Sequence, residues 1–236
     1  MTDISGGRAD AQEPVRQVLT LVGMRVRALA LLLCLLLAGC TRVIDTPQPK
    51  IGTPVAPIPA GQVGDLLSQD AQKGDDGNLF VTVEPDECSG LAREVDPPFI
   101  FDAKPAAHGG GHWVADVGRQ VYIEEIVAVY HATFDPRATL AQVTRTIESC
   151  AGTSLTVTAL DGDVDTYRVL PQPDSGSPDI VAWSFAAGTW ACDNSFVAAH
   201  NAAIEITTCA AVGGYDVLSL AQDALQRIET LANTTA

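Results

Sequence analysis

Two segments in the second half of the chain have apolar residues three and four positions apart, which is the period of an amphipathic helix. The first follows Asp135 and Pro136, which predict an N-cap and a first helical position, and it runs to Cys150. The second extends from Asp216 to Ala232 and carries its apolar residues along one stripe. We predict a helix at each segment.

Stretches rich in Val, Ile and Tyr predict strands elsewhere. The predicted strands are Val114–Tyr130, Ser154–Leu160, Asp165–Leu170 and Ile180–Ala186, followed by the hairpin arms Trp190–His200 and Ala202–Ala210. The first of these arms is also compatible with partly helical structure. Helix, then strands, then helix indicate one α+β domain, with a mainly antiparallel sheet that helices cover on one face.

The segments before these strands are shorter. Apolar spacing predicts a short helix over Val63–Ala71, and Pro85 with two following acids predicts another, which Pro97-Pro98 ends. Phe99–His112 is predicted to be a loop, most flexible at its three glycines.

The N-terminal part of the chain has the features of an export signal. The apolar run Ala28–Ala38 follows two arginines and leads to Cys40 through Leu-Ala-Gly, the pattern of a bacterial lipoprotein signal. The run is too short for a bilayer span, which needs roughly 20 residues. We predict a signal peptide over 1–39, with Met24 as an alternative start, and Cys40 as the residue that receives diacylglycerol and palmitate. Residues 40–59 are rich in proline and predict an extended linker, followed by one domain over 60–236.

The chain from Cys40 onward has ten Lys and Arg against 26 Asp and Glu. Such an acidic chain does not suit nucleic acid, whose binding requires a basic surface. We predict no nucleic-acid partner and a location on the extracytoplasmic face of the cell membrane.

Four cysteines remain after Cys34 in the apolar run and Cys40. In an exported chain, four thiols predict two disulfides, for which three pairings are possible. We favour Cys88–Cys150, which closes a long loop, and Cys192–Cys209, which joins two neighbouring strands.

Candidate sites for chemistry are few. His108, His112 and Trp113 surround the glycine run and form a weak candidate ligand surface, although the histidine spacing does not predict a metal site. Asp161–Asp165 lacks the glycine and glutamate of a calcium loop, so an acidic turn is predicted. Ser195 and His200 show no spacing that indicates a catalytic pair. We predict no catalytic residues, metal or cofactor.

The acidic strand that begins at Glu124, the Cys150-Ala151-Gly152 helix end and a later set of residues together resemble the PknH-like extracellular domain family. The later set is Trp190-Ala191-Cys192, Asn201, Ile204, Glu205, Ile206 and Cys209. The family comprises the sensor domain of a mycobacterial serine/threonine kinase and stand-alone envelope lipoproteins. The resemblance covers roughly Leu66 to Ala232. It implies a twisted antiparallel sheet flanked by helices, two disulfides and a concave face for an extracellular ligand, and it implies no catalytic residues.

The leading hypothesis is therefore a membrane-anchored envelope lipoprotein with a non-catalytic, sensor-like domain. It would bind a small-molecule or envelope ligand, or a membrane-protein partner. The alternatives are a cell-wall hydrolase with an unrecognised site and a structural lipoprotein that carries a partner protein.

Overall fold

The computed structural model describes residues 57–74, 80–170, 173–211 and 216–235. The predicted signal peptide, Met24, Cys34, Cys40 and the linker up to residue 56 lie outside the described residues. The described part has the predicted α+β fold, in which helices flank an antiparallel sheet.

Eight strands form this sheet in the order β1-β4-β5-β6-β7-β8-β3-β2, and all neighbours are antiparallel. The strands are β1 (Phe80–Glu84), β2 (Ala107–Asp116), β3 (Gln120–Val129), β4 (Ser154–Ala159), β5 (Val164–Val169), β6 (Ile180–Ala187), β7 (Trp190–Ala199) and β8 (Ala202–Ala211). The predicted hairpin of the last two strands is confirmed. The partly helical alternative for its first arm is wrong, because β7 is a strand throughout.

Three α-helices accompany the sheet in the described part: α1 (Pro98–Phe101), α2 (Pro136–Cys150) and α3 (Val217–Thr235). The Asp135 carboxylate accepts a hydrogen bond from the Ala138 amide at 3.0 Å, which confirms the predicted N-cap of α2. The first short predicted helix is replaced by two 3-10 helices, Ala60–Leu66 and Ala71–Lys73, and the second by one 3-10 helix, Asp86–Cys88. Pro97-Pro98 does not end a helix as predicted but begins α1, because proline suits the first helical turn.

The sheet is buried on both faces, so the prediction of helices on one face is wrong. Face A carries Cys192, Phe196 and Ala198 of β7 and packs against α2, while face B carries Val197 and Ala199 and packs against α3. Alternate residues of a strand point to opposite faces, so each apolar side of β7 needs its own cover.

Two predicted segments in the first half of the domain have different structures. The single strand predicted over Val114–Tyr130 is wrong, because β2 and β3 are separate arms joined by a turn in which the Gly118 amide donates to Asp116 Oδ1 at 3.1 Å. The loop predicted over Phe99–His112 is also wrong, because residues 107–112 pair with β3 in regular register.

The glycines of β2 permit close packing rather than flexibility. A side chain at Gly111 would collide with the carbonyl of Ala71 on the 3-10 segment that covers face B. On face A, a side chain at Gly110 would lie 3.4 Å from Nη2 of Arg93. The absence of side chains lets both layers approach the edge strand.

Both favoured disulfides are present. Cys88–Cys150 joins the 3-10 helix Asp86–Cys88 to the end of α2. Cys192–Cys209 joins residues that are directly opposite on β7 and β8.

Candidate functional site

The histidines and the tryptophan of the predicted ligand surface lie on β2 but do not face one another. His108 and His112 point to face A, and Trp113 points to face B, where it packs against the core. The His108 ring contacts the Phe101 ring at a centroid distance of 5.0 Å. Four strand residues span roughly 13 Å, so the two imidazoles are too far apart to share a metal. Among the described residues no group of three His, Cys, Asp or Glu side chains is placed to hold a metal ion.

Polar side chains instead form a buried row across the centre of face A. Glu124 of β3 is opposite Thr207 of β8, which is opposite Asn194 of β7. The Thr207 hydroxyl donates to Asn194 Oδ1 at 2.8 Å. The Arg93 guanidinium approaches Glu124, with 3.8 Å between Nε and Oε2, and both side chains are almost fully buried. A charge pair therefore lies inside the core, next to neutral hydrogen-bonding groups.

Glu205 of β8 is the most unusual member of this buried cluster. Its side chain is fully buried, and neither carboxylate oxygen has a hydrogen-bond partner among the described residues. Burial raises the pKa of Glu205 to about 8, nearby Glu94 and Glu124 add to this, and Arg93 opposes it. Glu205 is diagonal to Glu124 across the β8–β3 pair, a geometry that brings long side chains within reach.

A segment with a short helix near each end and irregular structure between them covers this cluster. Residues 85–101, here called the strap, run across face A and are linked to α2 by Cys88–Cys150. The Trp183 indole donates to the Leu91 carbonyl at 2.7 Å, and the Phe99 ring packs edge-on against Trp183 at 5.8 Å. The Tyr130 hydroxyl donates to the Ile100 carbonyl at 2.9 Å. The sheet thus holds the strap by hydrogen bonds to its main chain.

Glu94 stabilises the fold of the strap itself. Its carboxylate accepts hydrogen bonds from the Ser89 hydroxyl and the Gly90 amide, each at 2.8 Å, and from the Val83 amide of β1 at 3.2 Å. Because Arg93 and Glu94 are adjacent, the strap brings one positive and one negative side chain to the buried cluster.

The neighbouring acid of β3 has a separate partner, since Glu124 and Glu125 point to opposite faces as the sequence predicts. On face B, Arg227 of α3 donates to Glu125 Oε1 at 2.8 Å and to the Leu66 carbonyl at 2.8 Å. The Ser68 amide also donates to Glu125 Oε1, at 2.9 Å. Burial raises the pKa of Glu125, and the charge of Arg227 opposes that shift. This network fastens the 3-10 segment to both the sheet and α3.

An open depression of about 430 Å³ lies on face B where α3 begins. Its lining combines four apolar side chains with three polar ones: Leu170, Pro173, Val217, Leu218, Ser184, Asp193 and Asp216. The Ser184 hydroxyl donates to Asp193 Oδ1 at 2.6 Å. The Asp216 carboxylate accepts from the Ser219 amide at 3.0 Å and so caps α3. Both carboxylates are held in place by neighbours.

A second depression of about 390 Å³ lies further along α3 and is lined mainly by polar side chains, among them Asp65, Gln226 and Arg227. Its cation is already paired with Glu125. The first depression is therefore the better match to a small-molecule site, because it joins apolar surface to a few fixed polar groups.

Ser195 and His200 are not brought together. Ser195 is buried within β7, whereas His200 lies in the β7–β8 turn, 3.1 Å from Glu229 Oε2 of α3. Of the acidic turn predicted over Asp161–Asp165, residues 161–163 join β4 to β5, whereas Asp165 lies in β5; the Asp163 amide donates to Asp161 Oδ1 at 3.1 Å.

The sequence reasoning did not single out the buried cluster or the face B depression as sites. Glu205 contributed only to the family resemblance. A signal was present, because one acid among Ile204, Ile206 and small residues interrupts an otherwise uncharged strand. Arg93 gave no comparable signal, since its burial depends on the strap.

Comparison with known proteins agrees with this architecture. The fold is similar to the crystal structure of the extracellular domain of PknH from Mycobacterium tuberculosis, with a TM-score of 0.58 and 16% identity, covering 75% of this chain and 98% of that one. The crystal structure of CalU16 from Micromonospora echinospora gives a TM-score of 0.23 and 11% identity over 53% of this chain and 84% of that one, too low to indicate a shared fold. No curated protein sequence matches the chain.

Within the described residues, no helix has both the length and the apolar character needed to cross a bilayer. Residues 54–227 match the family described as the PknH-like extracellular domain. That match spans most of the chain and agrees with the resemblance found in the sequence: the chain belongs to the PknH-like extracellular domain family, a family of sensor-type domains.

Proposed function

We propose that this protein is a lipid-anchored, non-catalytic sensor domain on the outer face of the cell membrane, and that it binds an envelope ligand in the face B depression. Family membership supports the sensor role. The lipoprotein signal ending at Cys40 and the two disulfides support export and anchoring.

The observation that carries the proposal is the composition of the depression. A volume of about 430 Å³ falls in the range of small-ligand pockets, roughly 300–1,000 Å³. Leu170, Pro173 and Leu218 offer apolar contact, whereas Asp193 and Asp216 accept hydrogen bonds or attract positive charge. The ligand that fits has an apolar body and a cationic or hydroxyl-bearing end.

The sequence of the N-terminal segment supports the anchor. Residues 41–57 contain Pro47, Pro49, Pro54 and Pro57, a composition typical of extended linkers. At about 3.1 Å per residue, such a tether spans about 50 Å. We propose domain boundaries of 1–39 for the signal peptide, 40–59 for the tether and 60–236 for the sensor domain.

Filling the depression tests the ligand proposal. Leu218→Trp places a bulky ring in it, and Leu231→Trp is a matched control, because Leu231 is also a partly buried leucine of α3 and lines the second depression. Protein purified from its native envelope is analysed by lipid and glycan mass spectrometry. We expect a co-purifying molecule with the wild type and Leu231→Trp, and a loss of at least tenfold with Leu218→Trp. Equal recovery from all three proteins, or none from the wild type, would contradict the proposal.

A further inference from the structure

Glu205 lies beneath the strap on face A and takes no part in the depression or the tether. Its carboxyl group is fully buried and has no hydrogen-bond partner among the described residues. We infer that Glu205, with Glu124 and Arg93, forms a proton-binding site that couples external pH to the position of the strap. This inference goes beyond the proposed function and does not depend on the depression.

The balance of charge in the cluster favours a bound proton. The guanidinium of Arg93 is the cation that acts on both buried carboxyl groups, Glu124 and Glu205, and its Nε lies 3.8 Å from Glu124 Oε2. The nearby carboxylate of Glu94 already accepts three hydrogen bonds from the strap and β1. Two anions beside one cation in a buried core are costly, whereas a neutral carboxyl group avoids most of that cost.

The groups packed around Glu205 from each element agree with this assignment. The strap contributes Arg93 and Glu94, β3 contributes Glu124, and Tyr130 follows the last residue of β3, while His112 of β2 is opposite Glu124 at the edge. The pKa of Tyr130 is also raised, first by its burial and then by the negative charge of Glu205. The neutral side chains of Asn194 and Thr207 face the cluster from β7 and β8. The inward side chains of α1 and α2 are apolar.

Loss of the proton changes the forces on the strap. The carboxyl O–H bond breaks, the proton passes to solvent, and a second negative charge remains beneath Arg93 and Glu94. Attraction to Arg93 and repulsion of Glu94 then act on adjacent residues of one irregular segment. Because burial raises the pKa of Glu205 to about 8, this change falls in a range that an extracytoplasmic domain can experience.

Trp183 provides the readout, because its indole N–H donates to the Leu91 carbonyl of the strap. The full chain is labelled with 15N and with 13C at the glutamate carboxyl carbon, and NMR spectra are recorded from pH 5 to 10. We expect the Glu205 carboxyl resonance and the Trp183 indole resonance to shift together, with a midpoint near 8. Glu205→Gln should abolish the indole shift. Glu125→Gln, which alters the buried glutamate of face B, should preserve it.

Each result is informative. A Glu205 carboxyl resonance that titrates near 4.5 in the wild type overturns the proton site, and this measurement needs no variant to fold. A Glu205 midpoint near 8 with a stationary Trp183 resonance overturns the coupling to the strap. An indole shift that persists in Glu205→Gln assigns the titration to another group and also overturns the inference.

Discussion

The side-chain amide of Asn201 forms two hydrogen bonds with the main chain of Ile58. Its Nδ2 donates to the Ile58 carbonyl at 2.8 Å, and its Oδ1 accepts from the Ile58 amide at 3.1 Å. The same Nδ2 donates to the Tyr130 carbonyl at 2.9 Å. Asn201 in the β7–β8 turn therefore joins the main chain of Ile58 to the sheet, where Ile58 is part of the face B core.

Replacing Asn201 with Ala should detach this segment. Three buried hydrogen bonds would be lost and main-chain groups would be left unsatisfied, so we expect a loss of about 2–4 kcal/mol in the free energy of unfolding. Urea denaturation measures the loss, and limited proteolysis should show new cleavage between residues 57 and 74. Asn233→Ala, at an exposed position of α3, is the control. Equal stability of the two variants would refute the role assigned to Asn201.

Replacing Gly111 with Ala should separate the 3-10 segment from β2. The new methyl group would collide with the Ala71 main chain, and overpacking of this kind costs about 1–3 kcal/mol. Gly61→Ala is a suitable control, because a side chain there meets no atom within 4 Å. Denaturant unfolding of both variants checks the difference, and a stable Gly111→Ala protein would argue against tight packing at this edge.

The glycine run also shows which features of the fold cannot be predicted from local sequence patterns. The amphipathic helices α2 and α3 follow from local periodicity, and the β7–β8 hairpin follows from two apolar runs around a turn. In contrast, the sequence Gly109-Gly110-Gly111 indicates a flexible loop. In the structure, the lack of side chains at these positions instead allows close contact with residues that are distant in the chain. The partners are Ala71, in a 3-10 helix on face B, and Arg93, in the strap on face A, and local periodicity does not show that either residue reaches β2.

The buried cluster was difficult to predict for a related reason. β7 ends in the apolar run Phe196–Ala199 and β8 begins with the apolar run Ala202–Ile204, and such runs are typical of strands buried on both faces. The same burial turns Glu205 from an ordinary acid into an unpaired buried one. The sequence alone does not show that Arg93 reaches the same place, because the strap that carries it is held by the Cys88–Cys150 disulfide and by hydrogen bonds from Trp183 and Tyr130.

Replacing Cys40 with Ala should release the protein from membranes, because the thiol is the proposed acceptor of the lipid. Cell fractions are washed with carbonate and probed for the protein in the pellet and the supernatant. Cys34→Ala is a matched control, since Cys34 lies in the predicted signal peptide and should not affect anchoring. Recovery of Cys40→Ala in the washed pellet at wild-type levels would contradict the lipid anchor.

The pH dependence of stability should differ between the wild type and Glu205→Gln. The folded state raises the pKa of Glu205 from 4.5 to about 8, so it favours the protonated form. The stabilising effect of that proton is complete below pH 4.5 and is lost progressively as the pH rises to about 8, beyond which no further loss comes from this group. The shift corresponds to roughly 5 kcal/mol over that interval.

Glutamine keeps the size of the side chain but does not ionise, so the difference in unfolding free energy between wild type and Glu205→Gln isolates this group. We expect Glu205→Gln to gain stability relative to the wild type as the pH increases from 5 to 9, with most of the gain complete near pH 8. Urea unfolding at closely spaced pH values measures both curves. Glu148→Gln, at an exposed position of α2, should follow the wild-type curve. Parallel curves for wild type and Glu205→Gln would mean that Glu205 has the same proton affinity in the folded and unfolded chains, and that its burial does not govern its protonation.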